Sequence, residues 1–234
     1  MTVSIQRQSI NTGLALAAIL IVALTSSQGD AKTNKACLAT FQEPKITITV
    51  KEEKTRLIRS KSHKQITRIA KSQSSFEPST EGRVLGLTDA TQELQLGIEV
   101  ESQPLNNGEH CVRLDRVKAI ISMRKSDVYI AREYKAGSCA FKAILAHEQE
   151  HVAINKHFRE KLVKELDKGL KKYARRVDPF IVPASYDAAE DIYERLSKVI
   201  TPIREDINRE RRNAHRKIDT PRSYRKVRSR CAKW

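Results

Sequence analysis

The pattern of hydrophobic and polar positions changes near residue 138. Before that point, short segments alternate between the two kinds of residue, as strands with one buried face do. The predicted strands are residues 45–51, 94–101, 111–123 and 127–134, with a turn at 124–126 between the last two. The polar stretch 59–81 is predicted to be a loop or a short helix.

After residue 138, hydrophobic positions recur at intervals of three or four, which predicts helices. Ser138 is a suitable N-cap for a helix from Cys139 to about Arg176, since its hydroxyl can accept from the first turn. The predicted inward face consists of His147, His151, Ile154, Phe158, Leu162, Leu166, Leu170 and Tyr173. The two histidines therefore continue an apolar face instead of pointing to solvent.

Residues 177–183 contain two prolines and interrupt this pattern. A second helix is predicted from about Ser185, with a kink at Pro202. Its apolar positions are Ala189, Ile192, Leu196, Val199, Ile203 and Ile207. Thr220-Pro221 predicts one more helix start, with the threonine as cap. These patterns predict an α+β fold, in which a mainly antiparallel β region precedes a long helix and its antiparallel partner helix.

His147, Glu148 and His151 form an H-E-x-x-H motif on the long predicted helix. Residues four apart on a helix lie one turn apart on the same face, so both imidazoles can bind one metal ion. Glu148 would project beside that ion as a general base. With this motif on its long helix, the expected α+β fold is zincin-like. Two inward histidines can instead be core residues bonded to backbone carbonyls, but the carboxylate between them favours Zn2+.

A catalytic zinc normally has three protein ligands and one open position, so a third ligand is expected. A helical hairpin centred near residue 180 would bring Glu210 close to the motif. An inward carboxylate at that position is explained if it meets a cation. Glu210 is therefore the first candidate for the third ligand. His215 and Asp219 are the alternatives, although Asp219 could also serve as a cap before the next helix.

His157 lies six residues after His151, which is the spacing of the third ligand in metzincins. The glycine at which that motif leaves the helix is Ile154 in this chain. In an unbroken helix His157 points away from His151, because successive residues turn by about 100°. His157 is therefore predicted to be solvated and not a ligand.

The N-terminus has the three parts of a secretory signal peptide. Arg7 provides a positive start, residues 13–24 a short apolar core, and small residues lead to a cleavage site near Ala31. That core is too short for a comfortable transmembrane span, and no span is predicted in the mature chain. The protein is therefore expected to be secreted or periplasmic.

After the predicted signal peptide at 1–31, residues 32–138 are expected to form the β region. Residues 139–234 would form the helical region that carries the zinc site, within one integrated domain. The length of the chain suits one domain, or one domain plus an extension, with a substantial core.

Four cysteines in an exported chain predict two disulfide bonds. Three pairings are open from the sequence alone. Cys111 with Cys139 is favoured, because this bond would tie the strands before the long helix to the start of that helix. Cys37 with Cys231 then follows by elimination.

The chain carries a net charge of +16. Such charge attracts anionic surfaces of the cell envelope, although charged helix faces also simply maintain solubility. Only 5% of the residues are aromatic and no recognised nucleic-acid motif appears, so a nucleic-acid partner is not expected.

Several segments resemble the bacterial family described as predicted secreted zinc-dependent proteases. The segments that carry this resemblance are 135–141, 145–154, 84–88, Cys111, 218–221 and Cys231. The resemblance implies zinc at His147 and His151 and catalysis by Glu148.

The sequence thus predicts an exported metallopeptidase that hydrolyses peptide or protein substrates of the cell envelope through a zinc-activated water. One alternative is a non-catalytic envelope protein with a structural or degenerate metal site. Another is a basic module that binds acidic polymers.

Overall fold

The computed structural model describes residues 2–8, 37, 42–72 and 83–234, and these residues form an α+β protein. The strands are β1 Thr2–Gln8, β2 Lys45–Lys51, β3 Arg56–Ile58, β4 Gly86–Pro104, β5 Glu109–Ile130 and β6 Phe180–Pro183. The helices are α1 His63–Lys71, α2 Cys139–Ala174, α3 Ala188–Ile218 and α4 Pro221–Arg228. The apolar core and the cleavage site of the predicted signal peptide lie outside the described residues.

The strands of the described residues belong to one sheet in which β1, β4, β5 and β2 are successive neighbours. Both β3 and β6 also pair with β5. The pairs β1–β4 and β5–β6 are antiparallel, whereas β3 runs parallel to β5 with Leu57 opposite Val128. The predicted antiparallel arrangement is therefore wrong at β3. Parallel pairing depends on a crossover connection, which the alternation of residues within a strand does not reveal.

The strand β5 continues through the turn that was predicted at 124–126. That prediction is wrong because the polar side chains there have partners on neighbouring segments. The contacts are Arg124 with Glu93, Lys125 with Asp89, and Ser126 with Thr55. A run of polar residues therefore does not end this strand. The helix α1, in turn, occupies part of the stretch predicted as a loop or short helix.

The chain divides into two compact units, and each combines parts of the sheet with parts of the long helices. Unit 1 comprises the described residues within 1–49, 94–121 and 167–200, and unit 2 comprises those within 50–93, 122–166 and 201–234. The side chains buried in unit 1 include Ile98, Leu114, Val117, Leu170, Ile192 and Leu196.

In unit 2 the end of β5 is covered on both faces. Val128 packs in a cluster with Ile144 of α2, and the next residue, Tyr129, packs in another cluster with Ile66 of α1. Alternate residues of a strand point to opposite faces, so this strand end lies between the two helices. The first turns of α2 are thereby fixed against the sheet.

The helix starts agree with the predicted caps. The Ser138 hydroxyl accepts a hydrogen bond of 3.2 Å from the Phe141 amide at the start of α2, and Thr220 caps α4 with Pro221 in its first turn. The predicted apolar face of α3 needs one correction. Val199 is 38% exposed, and Ile200 is the buried residue at this turn.

The predicted disulfide pairing is wrong. The structure pairs Cys37 with Cys111 in unit 1 and Cys139 with Cys231 in unit 2, at Cα distances of 5.7 and 5.8 Å. The favoured Cys111–Cys139 bond was expected to tie the strands before α2 to its start, but β5 is continuous from Glu109 to Ile130 and Cys111 lies near its first residue, at the opposite end from the one that leads to α2. Two disulfides fit an extracellular or periplasmic compartment. Among the described helices, none has the length and apolarity that a membrane span requires.

Candidate metal centre

His147 and His151 lie one turn apart on α2, and both are buried. Their Nε2 atoms lie 3.2 and 3.1 Å from the same oxygen, Oδ1 of Asp219. Asp219 is the residue between the end of α3 and Thr220, the N-cap of α4. The H-E-x-x-H helix and this interhelical turn together gather two imidazoles and a carboxylate, whose ligand atoms all lie within 4.8 Å of one another.

This donor set fits a divalent cation. Two atoms bound about 2.1 Å from one zinc ion at a tetrahedral angle lie about 3.4 Å apart, close to the two distances found here. Two imidazole nitrogens with one carboxylate oxygen are a ligand combination that catalytic zinc sites use. His147, His151 and Asp219 could therefore hold a metal ion.

The crowding around Asp219 supports the same interpretation. Its Oδ1 atom also accepts a hydrogen bond of 2.9 Å from the hydroxyl of Tyr224, so three polar groups converge on one oxygen. A carboxylate oxygen offers about two lone-pair sites. A single cation between His147, His151 and Asp219 would replace two of these contacts with one interaction.

Electrostatics keep Asp219 ionised. Burial acts to raise its pKa, but hydrogen bonds from His147 and His151 outweigh burial and hold the pKa far below its ordinary value. The hydroxyl of Tyr224 stays protonated, since burial and the charge of Asp219 raise its pKa. The carboxylate is therefore a negatively charged ligand with a neutral donor beside it. Its side chain is 35% exposed, which leaves the site open to solvent on this side.

Glu148 is almost fully buried next to these groups. Its Oε2 atom accepts a hydrogen bond of 2.8 Å from the Thr88 hydroxyl at the start of β4. Burial raises the pKa of Glu148, although the nearby charges of His151 and His147 act in the opposite direction. A carboxylate whose proton affinity is raised can take a proton from water near neutral pH.

The strand β4 approaches the Glu148 carboxylate closely at Gly86. A Cβ atom at this position would lie 2.6 Å from Oε1 of Glu148 and 2.6 Å from the Ile144 side chain. Real Cβ atoms do not come so close to their neighbours. Glycine at residue 86 and the hydroxyl of Thr88 thus position the Glu148 carboxylate from the sheet side.

His151 contacts His215 of α3 through the ring nitrogen that does not face Asp219. The Nδ1 atoms of the two rings lie 2.8 Å apart, and Nε2 of His215 lies 3.1 Å from Oδ1 of Asn155. Burial, with the charges of His151 and Arg211, lowers the pKa of His215 to about 4, so this ring is neutral at pH 7. The amide oxygen of Asn155 only accepts, which assigns the proton of His215 to Nε2. Nδ1 of His215 then accepts from Nδ1–H of His151, and Nε2 of His151 faces Asp219.

The structure brings together His147, Glu148 and His151 of the predicted site, but it does not bring Glu210 to them. Glu210 is 47% exposed and forms an ion pair with Lys161.

Of the two alternatives for the third ligand, Asp219 contributes its carboxylate to the centre, and His215 lies behind His151. His157 is exposed, as the sequence predicts.

The register of the helical hairpin explains why Glu210 does not reach the motif. His151 faces His215, and His147 faces Asp219, so the hairpin is centred at residue 183 and not near 180. The connection contains the strand β6 and an exposed turn before α3 begins at Ala188. These extra residues move the position opposite the motif further along α3.

The sequence analysis assigned no role at the site to Gly86, Thr88, Asn155 or Tyr224, although Gly86 and Thr88 fall in the segment 84–88 that carries the family resemblance. Asn155 lies four residues after His151, which places both on one face of α2, and this spacing was a usable signal. No spacing signal linked the two residues on β4 to Glu148, because this contact joins positions about sixty residues apart. Comparison of the chain with protein families, curated proteins and solved structures finds no match in any of the three.

Proposed function

We propose that this protein is an exported zinc-dependent metallopeptidase that hydrolyses peptide bonds in proteins of the cell envelope. One observation carries the proposal: the Nε2 atoms of His147 and His151 converge on Oδ1 of Asp219 at 3.2 and 3.1 Å. Three ligands and a solvent-accessible side match catalytic zinc sites, whereas structural zinc sites are closed by four ligands. The resemblance to predicted secreted zinc-dependent proteases is part of this proposal.

The chemistry follows from the residues around the centre. A zinc ion supplies a Lewis acid that polarises a substrate carbonyl and makes a water more acidic. Glu148 accepts the proton of the attacking water and then delivers it to the nitrogen of the leaving amine. The Thr88 hydroxyl holds one oxygen of Glu148, which orients the other oxygen for this transfer.

A zincin-like arrangement is supported by the same elements. The H-E-x-x-H helix α2 packs on the sheet. Going along α2, His147 contacts Asp219, His151 contacts His215 and Lys161 contacts Glu210, so later residues of α2 meet earlier residues of the second helix. The second helix therefore runs antiparallel to the first. The third ligand follows at its end, in the turn before α4.

A structural metal site is the second candidate, and a specific observation favours it. The ligands come from two distant segments, namely α2 and the turn at Asp219. An ion bound there would brace the two segments even without catalysis. The proteolytic and structural functions differ in the behaviour of Glu148, because a purely structural site has no need of a buried carboxylate beside its ligands.

The first test measures metal. Oxidised protein purified from an exporting host should contain one zinc per chain by elemental analysis, and His147→Ala should not. Wild-type protein that contains no metal, and takes none up on titration, would refute both candidates. The second test measures cleavage of an unstructured protein substrate with and without a chelator.

Glu148→Gln separates the two candidates. This change keeps the shape of the side chain and removes its basic carboxylate, so zinc should remain bound while cleavage is lost. Cleavage by this variant at the wild-type rate would contradict the catalytic role. A wild-type protein that retains zinc, unfolds more easily after chelation and cleaves no substrate would establish the structural function instead.

A further inference from the structure

The positive charge of the chain is concentrated beside the candidate metal centre. Residues 211–234 contain ten lysines and arginines but one acidic residue, Asp219. This segment of 24 residues thus carries +9 of the net charge of +16. The single acid is the carboxylate that points at the two histidines of the centre, so it is not available to neutralise the surface.

The basic segment is fixed next to the site. Asp219 and Tyr224 belong to it, and both take part in the centre. Val227 of α4 packs with Ala143 of α2, and the disulfide between Cys139 and Cys231 joins the end of the segment to the start of α2. The helix α4, which carries these cations, is therefore held beside the centre as part of the folded unit.

Three exposed cations of α4 remain available to a ligand. Arg222, Arg225 and Lys226 are exposed, and within the described ranges of the chain none of them pairs with a carboxylate. Surface cations elsewhere in unit 2 do have such partners, for example Lys161 with Glu210 and Arg209 with Asp206. Three unneutralised cations on one short helix leave a positive surface at the edge of the site.

A shallow cleft of about 410 Å³ extends this surface along α2. It is lined by Cys139, Lys142, Ala143 and Arg230, which places two cations on its walls. Ala143 lies four residues before His147, so the cleft is one helical turn from the first metal ligand. An acidic side chain could enter this cleft while the neighbouring peptide bond lies near the centre.

We propose that the substrate of this site is an acidic polypeptide segment, whose Asp and Glu residues flank the cleaved bond and are bound by the cations of α4 and the cleft. This inference rests on the proposed peptidase function. The aromatic side chains of the segment favour a polypeptide over a nucleic acid. Tyr224 donates to Asp219, and Trp234 donates to the carbonyl of Arg228 and packs against Tyr134. Neither ring is part of a stacking platform for bases, which single-stranded nucleic acids require.

The first experiment compares matched peptides. One fluorogenic peptide carries Asp and Glu on both sides of the bond, and its partner carries Asn and Gln at the same positions. The zinc-loaded protein should cleave the acidic peptide with kcat/KM about tenfold higher at low salt, because complementary charge raises the rate of encounter. The preference should disappear at about 1 M salt, where the screening length is about 3 Å.

Charge-removing variants locate the effect. Arg222→Gln, Arg225→Gln and Lys226→Gln combined should remove most of the preference while the rate on the neutral peptide stays unchanged. The matched control changes Lys172, Arg175 and Arg176 to Gln and so removes the same charge. These exposed residues lie at the end of α2 and in the turn that follows it, some twenty residues after His151. This control should keep the preference. Equal loss of preference in both triple variants would show an effect of net charge alone and would overturn the proposal.

Binding to the zinc-loaded Glu148→Gln variant gives a readout that does not need turnover. Fluorescence anisotropy should show tighter binding of the acidic peptide than of the neutral peptide. Cleavage of both peptides at equal rates would overturn the acidic specificity and leave the peptidase function intact. Absence of any cleavage would refute the peptidase function, and the substrate assignment with it. Tighter binding of a single-stranded oligonucleotide than of the acidic peptide would also overturn the assignment to polypeptides.

Discussion

His151 and His215 face each other through Nδ1 atoms 2.8 Å apart, and the rings meet edge to edge with centroids 5.0 Å apart and planes inclined by 27°. The contact joins residues of two helices that are 64 positions apart in the chain. A histidine that binds metal through Nε2 is oriented by the partner of its Nδ1–H. In most such sites that partner is a carboxylate, a backbone carbonyl or water. Here the partner of His151 is a second imidazole, that of His215, which in turn bonds to Asn155.

Removing this partner should weaken metal binding. His215→Ala is expected to lower zinc affinity by about 10–100-fold, the usual effect of losing a group that orients a ligand. His215→Gln should restore part of the affinity, because its amide oxygen can accept from His151. A competition titration with a chromogenic chelator measures both variants. Wild-type affinity in His215→Ala would show that the contact does not orient His151.

The identity of the third ligand can be tested with a matched pair of substitutions. Asp219→Asn removes the negative charge at the centre and should lower zinc affinity by more than about 100-fold. Glu210→Gln makes the same chemical change on α3, where only the ion pair with Lys161 is lost. It should leave zinc affinity unchanged, and an exposed ion pair of this kind contributes about 1 kcal/mol or less to stability. The reverse order of effects would restore Glu210 as the ligand.

Gly86→Ala should reduce turnover without loss of metal. The added Cβ atom would collide with Glu148 Oε1 and Ile144, and relief of such overpacking costs about 1–3 kcal/mol. Because the displaced carboxylate is the proposed base, kcat should fall while zinc content stays at one per chain.

The control for this prediction is Gly137→Ala. Gly137 has a φ of 78°, and a Cβ atom there would meet nothing within 4 Å. Alanine at this position should cost stability through backbone strain while kcat is retained. Equal loss of kcat in both variants would indicate a general loss of fold and not displacement of Glu148.

The buried hydroxyl of Tyr173 should make the folded protein less stable at alkaline pH. Burial raises its pKa to about 12, and its hydroxyl donates a hydrogen bond of 2.9 Å to the carbonyl of Ile192. A pKa raised above the ordinary 10 means that the folded state favours the protonated phenol. This contribution is complete below pH 10 and is lost as the pH rises through about 12. Urea unfolding of wild type and Tyr173→Phe across this range measures the effect.

Tyr173→Phe should be less stable than wild type by about 1 kcal/mol at pH 7, because a hydrogen bond is lost. The two stabilities should converge as the pH approaches 12. Tyr186→Phe is the control, since Tyr186 is 46% exposed and should alter the alkaline slope much less. Parallel curves for wild type and Tyr173→Phe would contradict the prediction.

Local signals in the sequence predicted the helical elements well. Ser138 as cap of α2 and Thr220-Pro221 at the start of α4 both agree with the structure. Each of these features depends on residues within one helical turn, so a short window contains all the information. The continuation of β5 through Arg124 and Lys125 depends on acidic partners on β4, more than 30 residues away, and a short window cannot contain them.

The same distinction applies to the candidate site. The spacing of His147 and His151 is a property of one helix and could be read from the sequence. The choice of Asp219 over Glu210 depends on the length and course of the connection between α2 and α3, which includes the short strand β6. The disulfide partners likewise depend on where whole strands end. Contacts that join distant segments require the three-dimensional structure.

The bond between Cys139 and Cys231 encloses His147, His151 and Asp219 within one covalent ring. The exposed turn at 183–187 lies inside that ring, between the two long helices. A protease that nicks this turn would not release either half, since the sulfur bridge still joins them. The nicked protein should therefore migrate as two fragments on a gel only after reduction, and the ring gives the chain tolerance to cleavage at this turn.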